Sequence, residues 1–227
     1  MKKIEFDTIE AALETSGVEQ VINDILTPGD PLIIAEVPEE WQNAFRSHGF
    51  VEYAHYQDHW LDAITPPDDL YGDYQLMGAE DCTVASEISI ACRGLSRGFE
   101  GEPPEWFEEW LRGDEEGQSA AGCRNAAAIV HRMNGVIAGF ACTATYAHDS
   151  ARGAVVWIRM LAVHPGFQGQ GIGRKLLMQT LQYGADHGAM RAFLHVDLQN
   201  AAAIHLYTDV GFLPKVGEEQ VDMIWTG

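Results

Sequence analysis

A chain of 227 residues with 46% apolar content is long enough for one generous domain, or a domain and a smaller partner, and apolar enough to bury a core. Its formal charge of −20 repels nucleic-acid phosphates and anionic lipid, which excludes binding to nucleic acid or a membrane surface and suits either a cationic partner or simple solubility. No apolar run reaches the roughly 18 residues that span a bilayer.

The basic start Met1-Lys2-Lys3 has no apolar stretch behind it, so no secretory signal is expected. Cys82, Cys92, Cys123 and Cys142 form no Cys-x-x-Cys pair, and a reduced, cytoplasmic setting without a disulfide framework is expected. Residues 8–26 carry apolar positions at helical spacing until Thr27-Pro28-Gly29-Asp30-Pro31 stops them. Leu32-Ile33-Ile34-Ala35-Glu36-Val37 reads as a buried strand. A helix follows over residues 38–48, ended by Gly49, and a strand opens at Phe50. His55 and His59 sit on that strand without a third ligand, so no metal site is expected.

Thr65-Pro66-Pro67-Asp68-Asp69 reads as a linker, so residues 65–73 divide a unit at 1–64 from a larger domain at 74–227. Residues 74–77 open that domain as a strand. Ala85, Ile88, Cys92, Leu95 and Phe99 make one helical face, and residues 105–111 a second short helix. The polar stretch 112–119 reads as a mobile loop. Asn134-Gly135 between two apolar runs marks a tight hairpin, and residues 154–163 a long central strand.

That strand ends in Val163-His164-Pro165-Gly166-Phe167-Gln168-Gly169-Gln170-Gly171-Ile172-Gly173, followed by a helix with Leu176, Leu177, Thr180, Leu181 and Ala185 on one face. Glycines let successive N–H groups turn toward one point, and a helix N-terminus adds partial positive charge, so the segment is an anion cradle. The glycine spacing is not that of a Rossmann fingerprint. Arg174-Lys175 stands where a Walker A loop needs Lys-Ser or Lys-Thr.

Gln168, Gly171 and Gly173, preceded by Val163-x-Pro165, have the pattern of a known acyl-CoA loop. Downstream, Asn200, Ala203, Tyr207, Gly211 and Phe212 fall at the places of a second signature. With both, the sequence resembles the GNAT superfamily of acyl-CoA-dependent N-acetyltransferases, clearly over residues 125–227 and in element order over 74–124. The resemblance implies an α/β fold: a mixed, mainly antiparallel twisted sheet with flanking helices, whose splayed parallel pair receives acetyl-CoA as cosubstrate. It implies that backbone groups at Leu161, Ala162 and Val163 meet the pantetheine arm like an added strand. It gives the pyrophosphate to the amides of Gln168, Gly169, Gln170, Gly171, Ile172 and Gly173, with Arg174 beside them. Asn200 would contact the cofactor arm and Tyr207 would protonate the leaving thiolate. Read from the residues alone, Tyr207 is a core aromatic and Asn200 a helix cap.

Many members of that superfamily carry a glutamate on the strand before the loop, and Trp157 stands near that place here. His195, Asp197, His131, Glu108 and Glu109 are the candidate bases, with direct loss of the proton to solvent as the alternative. The expected reaction joins an acetyl group to a primary amine of a small molecule or peptide, and a homodimer is compatible with it. The acidic segments Glu105 to Glu109 and Asp114 to Glu116 point to a cationic acceptor. A catalytically silent acyl-CoA-binding module is the other class of function the sequence allows.

The unit at 1–64 reads as a worn half copy of the same fold. Ile34 precedes Gly49-Phe50 by the interval that separates Val196 from Gly211-Phe212, which lays Phe45 on Tyr207 and Pro38 on Asn200. No glycine loop precedes its first helix, so it is expected to bind no cofactor of its own.

Overall fold

In a computed structural model that describes residues 2–25, 31–65, 73–97 and 99–226, the apolar helical pattern near the N-terminus is cut in two. Gly17, at φ +79°, ends α1 (Asp7–Ser16) and lets α2 (Val18–Ile25) start in a new direction. The expected helix at 8–26 is therefore two helices. A strand that the sequence pattern did not reveal, β1 (Lys2–Glu5), precedes them.

The remaining elements follow as β2 (Leu32–Ala35), α3 (Glu39–Ser47), β3 (Val51–Leu61), β4 (Gln75–Leu76), α4 (Cys82–Ala91), α5 (Pro104–Arg112) and α6 (Glu116–Ala120). Then come β5 (Arg124–Met133), β6 (Val136–Tyr146), β7 (Ala154–Val163), α7 (Ile172–Asp186), β8 (Ala189–Asp197), α8 (Ala201–Val210) and β9 (Leu213–Trp225). The stretch 112–119, expected as a loop, contributes to α6. There the Glu115 carboxylate accepts the Gln118 N–H at 3.0 Å and holds the first turn. Most of the expected linker, residues 66–72, lies outside the described residues.

The hairpin at Asn134-Gly135 forms as its dipeptide requires, with φ of +51° and +84° in a turn that needs positive φ twice. The described strands make one nine-stranded sheet in the order β1-β2-β9-β3-β8-β7-β6-β5-β4. Only β1 with β2 and β7 with β8 are parallel, so the sheet is mixed and mainly antiparallel, with helices on both faces. The order has a consequence for the N-terminal residues. Strand β3 lies between β8 and β9, and β9 lies between β2 and β3. Of residues 1–64, β3 is thus set in the middle of the sheet, while β1 and β2 lie at one edge.

Apolar side chains fall into clusters on both faces. Phe107, Trp110, Ile88 and Phe140 pack under α4 and α5 on one face. Leu177, Leu181, Leu194 and Phe212 pack under α7 and α8 on the other. The N-terminal unit builds its own cluster from Leu13, Ile34, Phe45 and Phe50, and closes it with Val221 and Met223 of β9.

Candidate active site

Strands β7 and β8 run paired from Ala154 beside Ala189 to Ile158 beside Leu194, and there they part. Arg159 marks the fork. It is the extra residue of a bulge, since Ile158 lies opposite Thr143 and Met160 opposite Cys142, and a bulge bends and twists the strand that carries it. Strand β8 meanwhile keeps its ladder to β3 as far as Asp197. Beyond the fork the His164 N–H donates to the Ala138 carbonyl at 2.9 Å. Alternation then turns residues 162 and 160 toward β6, and the backbone groups of Leu161 and Val163 toward the cleft. The Val163 carbonyl is already engaged there, by the Gln168 amide at 3.0 Å and the Cys92 thiol at 3.3 Å. The Leu161 groups and the Val163 N–H are left for a strand-like ligand.

The loop after β7 supplies donors. Gly169 and Gly171 hold φ of +75° and +76°, and a Cβ on either would meet nothing within 4 Å. Glycine is needed there for the backbone conformation, and the space above it is open. Among the described residues, the N–H groups of Gly169, Gln170 and Gly171 have no backbone acceptor, and the Gly171 carbonyl first accepts from Lys175, at 3.1 Å. The N–H groups of Ile172, Gly173 and Arg174 are therefore also unused, at the positive end of a helix of 15 residues. A run of free donors at a helix N-terminus fits a pyrophosphate.

A cavity of about 1100 Å³ runs along the cleft. It gathers Leu161, Ala162 and Val163 from β7, and Gln168, Gly169, Gly171, Ile172 and Gly173 from the loop. Asn200 and Tyr207 line it from α8. Gln170 and Arg174 are exposed and do not line it. The Gln168 side chain turns back onto the strand, so its contribution to the cradle is to hold the loop's first turn.

Asn200 caps α8: its side-chain oxygen accepts the Ala203 N–H at 3.1 Å, and its amide donates to Ser96 Oγ, also at 3.1 Å. The neighbouring Asp197 is consumed by structure, accepting the backbone N–H groups of Arg97 at 2.6 Å and Gln199 at 2.8 Å. These bonds tie the segment after α4 across the mouth of the fork. Tyr207 sits among Leu194, Val196 and Phe212, 8% exposed. Its hydroxyl has no hydrogen-bond partner among the described residues, and burial pushes its pKa up to about 12.

Side chains alternate along a strand, so Phe193, His195 and Asp197 point to the face opposite Leu194, Val196 and Tyr207. On that face His195 lies directly across from Asp58 of β3. Their Nδ1 and Oδ1 atoms are 2.7 Å apart, the imidazole stacks on the Tyr56 ring at 5.3 Å, and Nε2 has no partner among the described residues. Trp157 meets Trp110 edge to face at 5.8 Å, and the Arg159 guanidinium lies over the Trp157 and Trp106 rings at 5.6 and 5.9 Å. Glu36 and Glu102 also line the cavity, both with pKa values raised chiefly by burial. So does Asp222, 3.7 Å from Lys3.

The acidic segments singled out in the sequence lie elsewhere. Glu105, Glu108 and Glu109 are exposed on α5, and neither they nor Asp114, Glu115 and Glu116 line the cavity. His131 also lies outside it. The cavity's carboxylates come instead from residues 36, 58, 102, 197 and 222, which no local motif links.

The acetyltransferase (GNAT) family profile matches residues 95–212, just over half of the chain. The L-amino acid N-acyltransferase MnaT of Escherichia coli K12 is 34% identical over 95 residues, 39% of this chain and 54% of that protein. The mycothiol acetyltransferase of Thermobifida fusca is 36% identical over 88 residues, 37% of this chain and 27% of its own length. The chain thus spans about half or less of these relatives. Among solved structures, a GCN5-related N-acetyltransferase from Sphaerobacter thermophilus superposes with a TM-score of 0.62 at 17% identity, covering 98% of this chain and 72% of that one. A tandem GNAT protein from the clavulanic acid biosynthesis pathway gives 0.58 at 17% identity, covering 95% and 69%. The matched span includes the fork, the glycine loop and the helix that carries Tyr207, and on it the chain belongs to the GNAT acetyltransferase family.

Proposed function

We propose that the protein transfers the acetyl group of acetyl-CoA to a primary amine of a small molecule or peptide, by direct attack of the amine on the thioester. The observation that carries this reading is the fork after Ile158 and Leu194, open between unused backbone groups on β7 and the free amides of the glycine loop. The loop amides hold the pyrophosphate, the Leu161 groups and the Val163 N–H hold the pantetheine arm, and Asn200 borders it. Tyr207, protonated at neutral pH because burial raises its pKa, donates its proton to the departing thiolate. Positioning of the two reactants at the fork supplies much of the remaining rate enhancement. The carboxylates that line the cavity favour an acceptor that carries positive charge.

The experiment is a thiol-release assay with acetyl-CoA against polyamines, aminoglycosides, amino acids and peptide N-termini. Amino acids are included because the E. coli relative is named for them. Turnover with at least one class supports the reading. Tight acetyl-CoA binding with no turnover on any amine would favour a silent acyl-CoA-binding module instead.

We also propose that residues 1–64 are a half copy of the GNAT fold that binds no cofactor. β1 and β2 stay paired through Glu5 and Ala35, where β7 and β8 have already parted, and only Phe6 separates β1 from α1. Neither a cleft nor a donor loop is formed.

A further inference from the structure

Tyr207 covers one side of the fork, and nothing in the reaction so far removes the proton of the attacking amine. The superfamily's glutamate position gives no help, since Trp157 is wedged against Trp110 there. On the face opposite Tyr207, we propose that His195 is the catalytic base and that Asp58, from the N-terminal unit, is its positioning residue. This rests on the acetyl-transfer reading and completes it.

The geometry has four parts. His195 is the first residue of β8 beyond the last pair with β7, so it stands at the fork itself. Its side chain lines the same cavity as Leu161, Gly171 and Tyr207. Asp58 lies directly across the β3–β8 ladder with its carboxylate 2.7 Å from Nδ1. An ionised carboxylate only accepts, so Nδ1 carries the hydrogen, and in the neutral imidazole Nε2 keeps its lone pair. Finally, Nε2 has no hydrogen-bond partner among the described residues. A buried acceptor without a partner costs stability and calls for an explanation, which a base's lone pair supplies.

Of the candidate bases named from the sequence, the others are engaged or remote. Asp197 accepts a backbone N–H on each oxygen, and Glu108, Glu109 and His131 do not line the cavity. Acid and base then lie on opposite faces of β8 at the fork, so that one can serve the amine and the other the sulfur. The amine nitrogen forms its bond to the carbonyl carbon and loses a proton to Nε2. The carbon–sulfur bond breaks and the sulfur takes the Tyr207 proton. Solvent returns a proton to the phenolate and removes one from the imidazolium, so both residues are restored.

The test uses the full chain and an acceptor found by thiol release. His195→Gln should lower kcat about 10²- to 10⁴-fold, leave acetyl-CoA affinity by calorimetry unchanged, and abolish the acidic limb of the pH profile. Imidazole added to His195→Ala should restore part of the rate. Asp58→Asn should give a smaller loss and move the acidic limb rather than erase it. Wild-type rate and pH profile in His195→Gln would overturn the assignment while leaving acetyl transfer standing. A rate loss in both His195 variants that merely follows lost acetyl-CoA affinity would also overturn it. A wild-type protein without turnover on any amine removes both readings together.

Discussion

Tyr207 and Gly171 can be tested one atom group at a time, because each has a single role in the proposed site. Tyr207→Phe removes a hydroxyl that bonds to nothing among the described residues, so folding should be unaffected. kcat should fall roughly ten- to a thousand-fold with acetyl-CoA affinity nearly intact, as for the loss of a proton donor alone. An unchanged kcat would leave thiolate protonation to water. The sign of the pKa shift matters for the alkaline limb. With its pKa up at about 12, Tyr207 stays protonated past the ordinary tyrosine range, so a loss of rate below about pH 10 belongs to another group. Gly171→Asp places a carboxylate in the open space above the loop, at a φ of +76°. Calorimetry should show acetyl-CoA affinity reduced at least ~10-fold, about 1.4 kcal/mol, with circular dichroism unchanged. Both residues could be singled out in the sequence because their signatures are local: a glycine loop and the seven-residue step from Asn200 to Tyr207 depend on near neighbours. The His195–Asp58 pair was legible only by half. His195 could be named as a candidate, but its partner lies 137 residues away and is fixed by the register of β3 on β8.

Helix α8 shows how one cap serves two purposes. Its Asn200 both satisfies the first turn and, through Ser96, ties down the segment after α4 beside the fork. Asn200→Ala should cost about 0.5–2 kcal/mol of stability from the cap alone, measured by denaturant unfolding. Asn200→Asp keeps the acceptor and loses the donor, so stability should be largely retained while acetyl-CoA binding weakens. Full acetyl-CoA affinity in Asn200→Asp would reduce Asn200 to a cap. Elements with strong local chemistry followed the sequence: the Asn134-Gly135 hairpin, the strand at 154–163 and the helix after the loop. The misses have physical reasons. Periodicity in residues 8–26 runs through Gly17, and only its positive φ divides the helix. β1 is four residues long and half of β9 is polar, so both depend on ladder partners distant in sequence. The bulge at Arg159, which opens the cleft, has no sequence signal at all.

At the scale of the whole molecule, residues 1–64 should prove indispensable to a site they seem to stand apart from in sequence. The half-copy reading has support in several independent places under one offset. Gly49-Phe50 and Gly211-Phe212 both end a helix with positive φ at the glycine, and Phe50 N–H bonds the Phe45 carbonyl at 3.2 Å as Phe212 N–H bonds that of Tyr207 at 3.0 Å. The same offset lays Gln57 on Glu219, and these two residues face each other across the β3–β9 ladder, with their side chains bonded at 2.9 Å. An approximate two-fold axis therefore passes between them. It weakens outward: Ile34 pairs with Met223, whereas its counterpart Val196 pairs with Gln57 instead of Leu61. The arrangement exchanges last strands, since β3 completes the sheet of the larger domain and β9 closes the core of the smaller unit. Deleting residues 1–64 would thus not trim an appendage. It would strip two ladders from the middle of the sheet, those of β3 with β8 and β9, and expose Val221 and Met223. Unpaired strand edges and bared apolar surface both drive aggregation. Residues 74–227 alone should be insoluble, or soluble without cooperative unfolding, and should not bind acetyl-CoA. Adding back a separately expressed 1–64 fragment should restore binding in part. The full chain should bind one acetyl-CoA by calorimetry, because β1 and β2 never part. A truncated protein that folds cooperatively and binds acetyl-CoA with full affinity, or a stoichiometry of two, would overturn the exchanged-strand half copy.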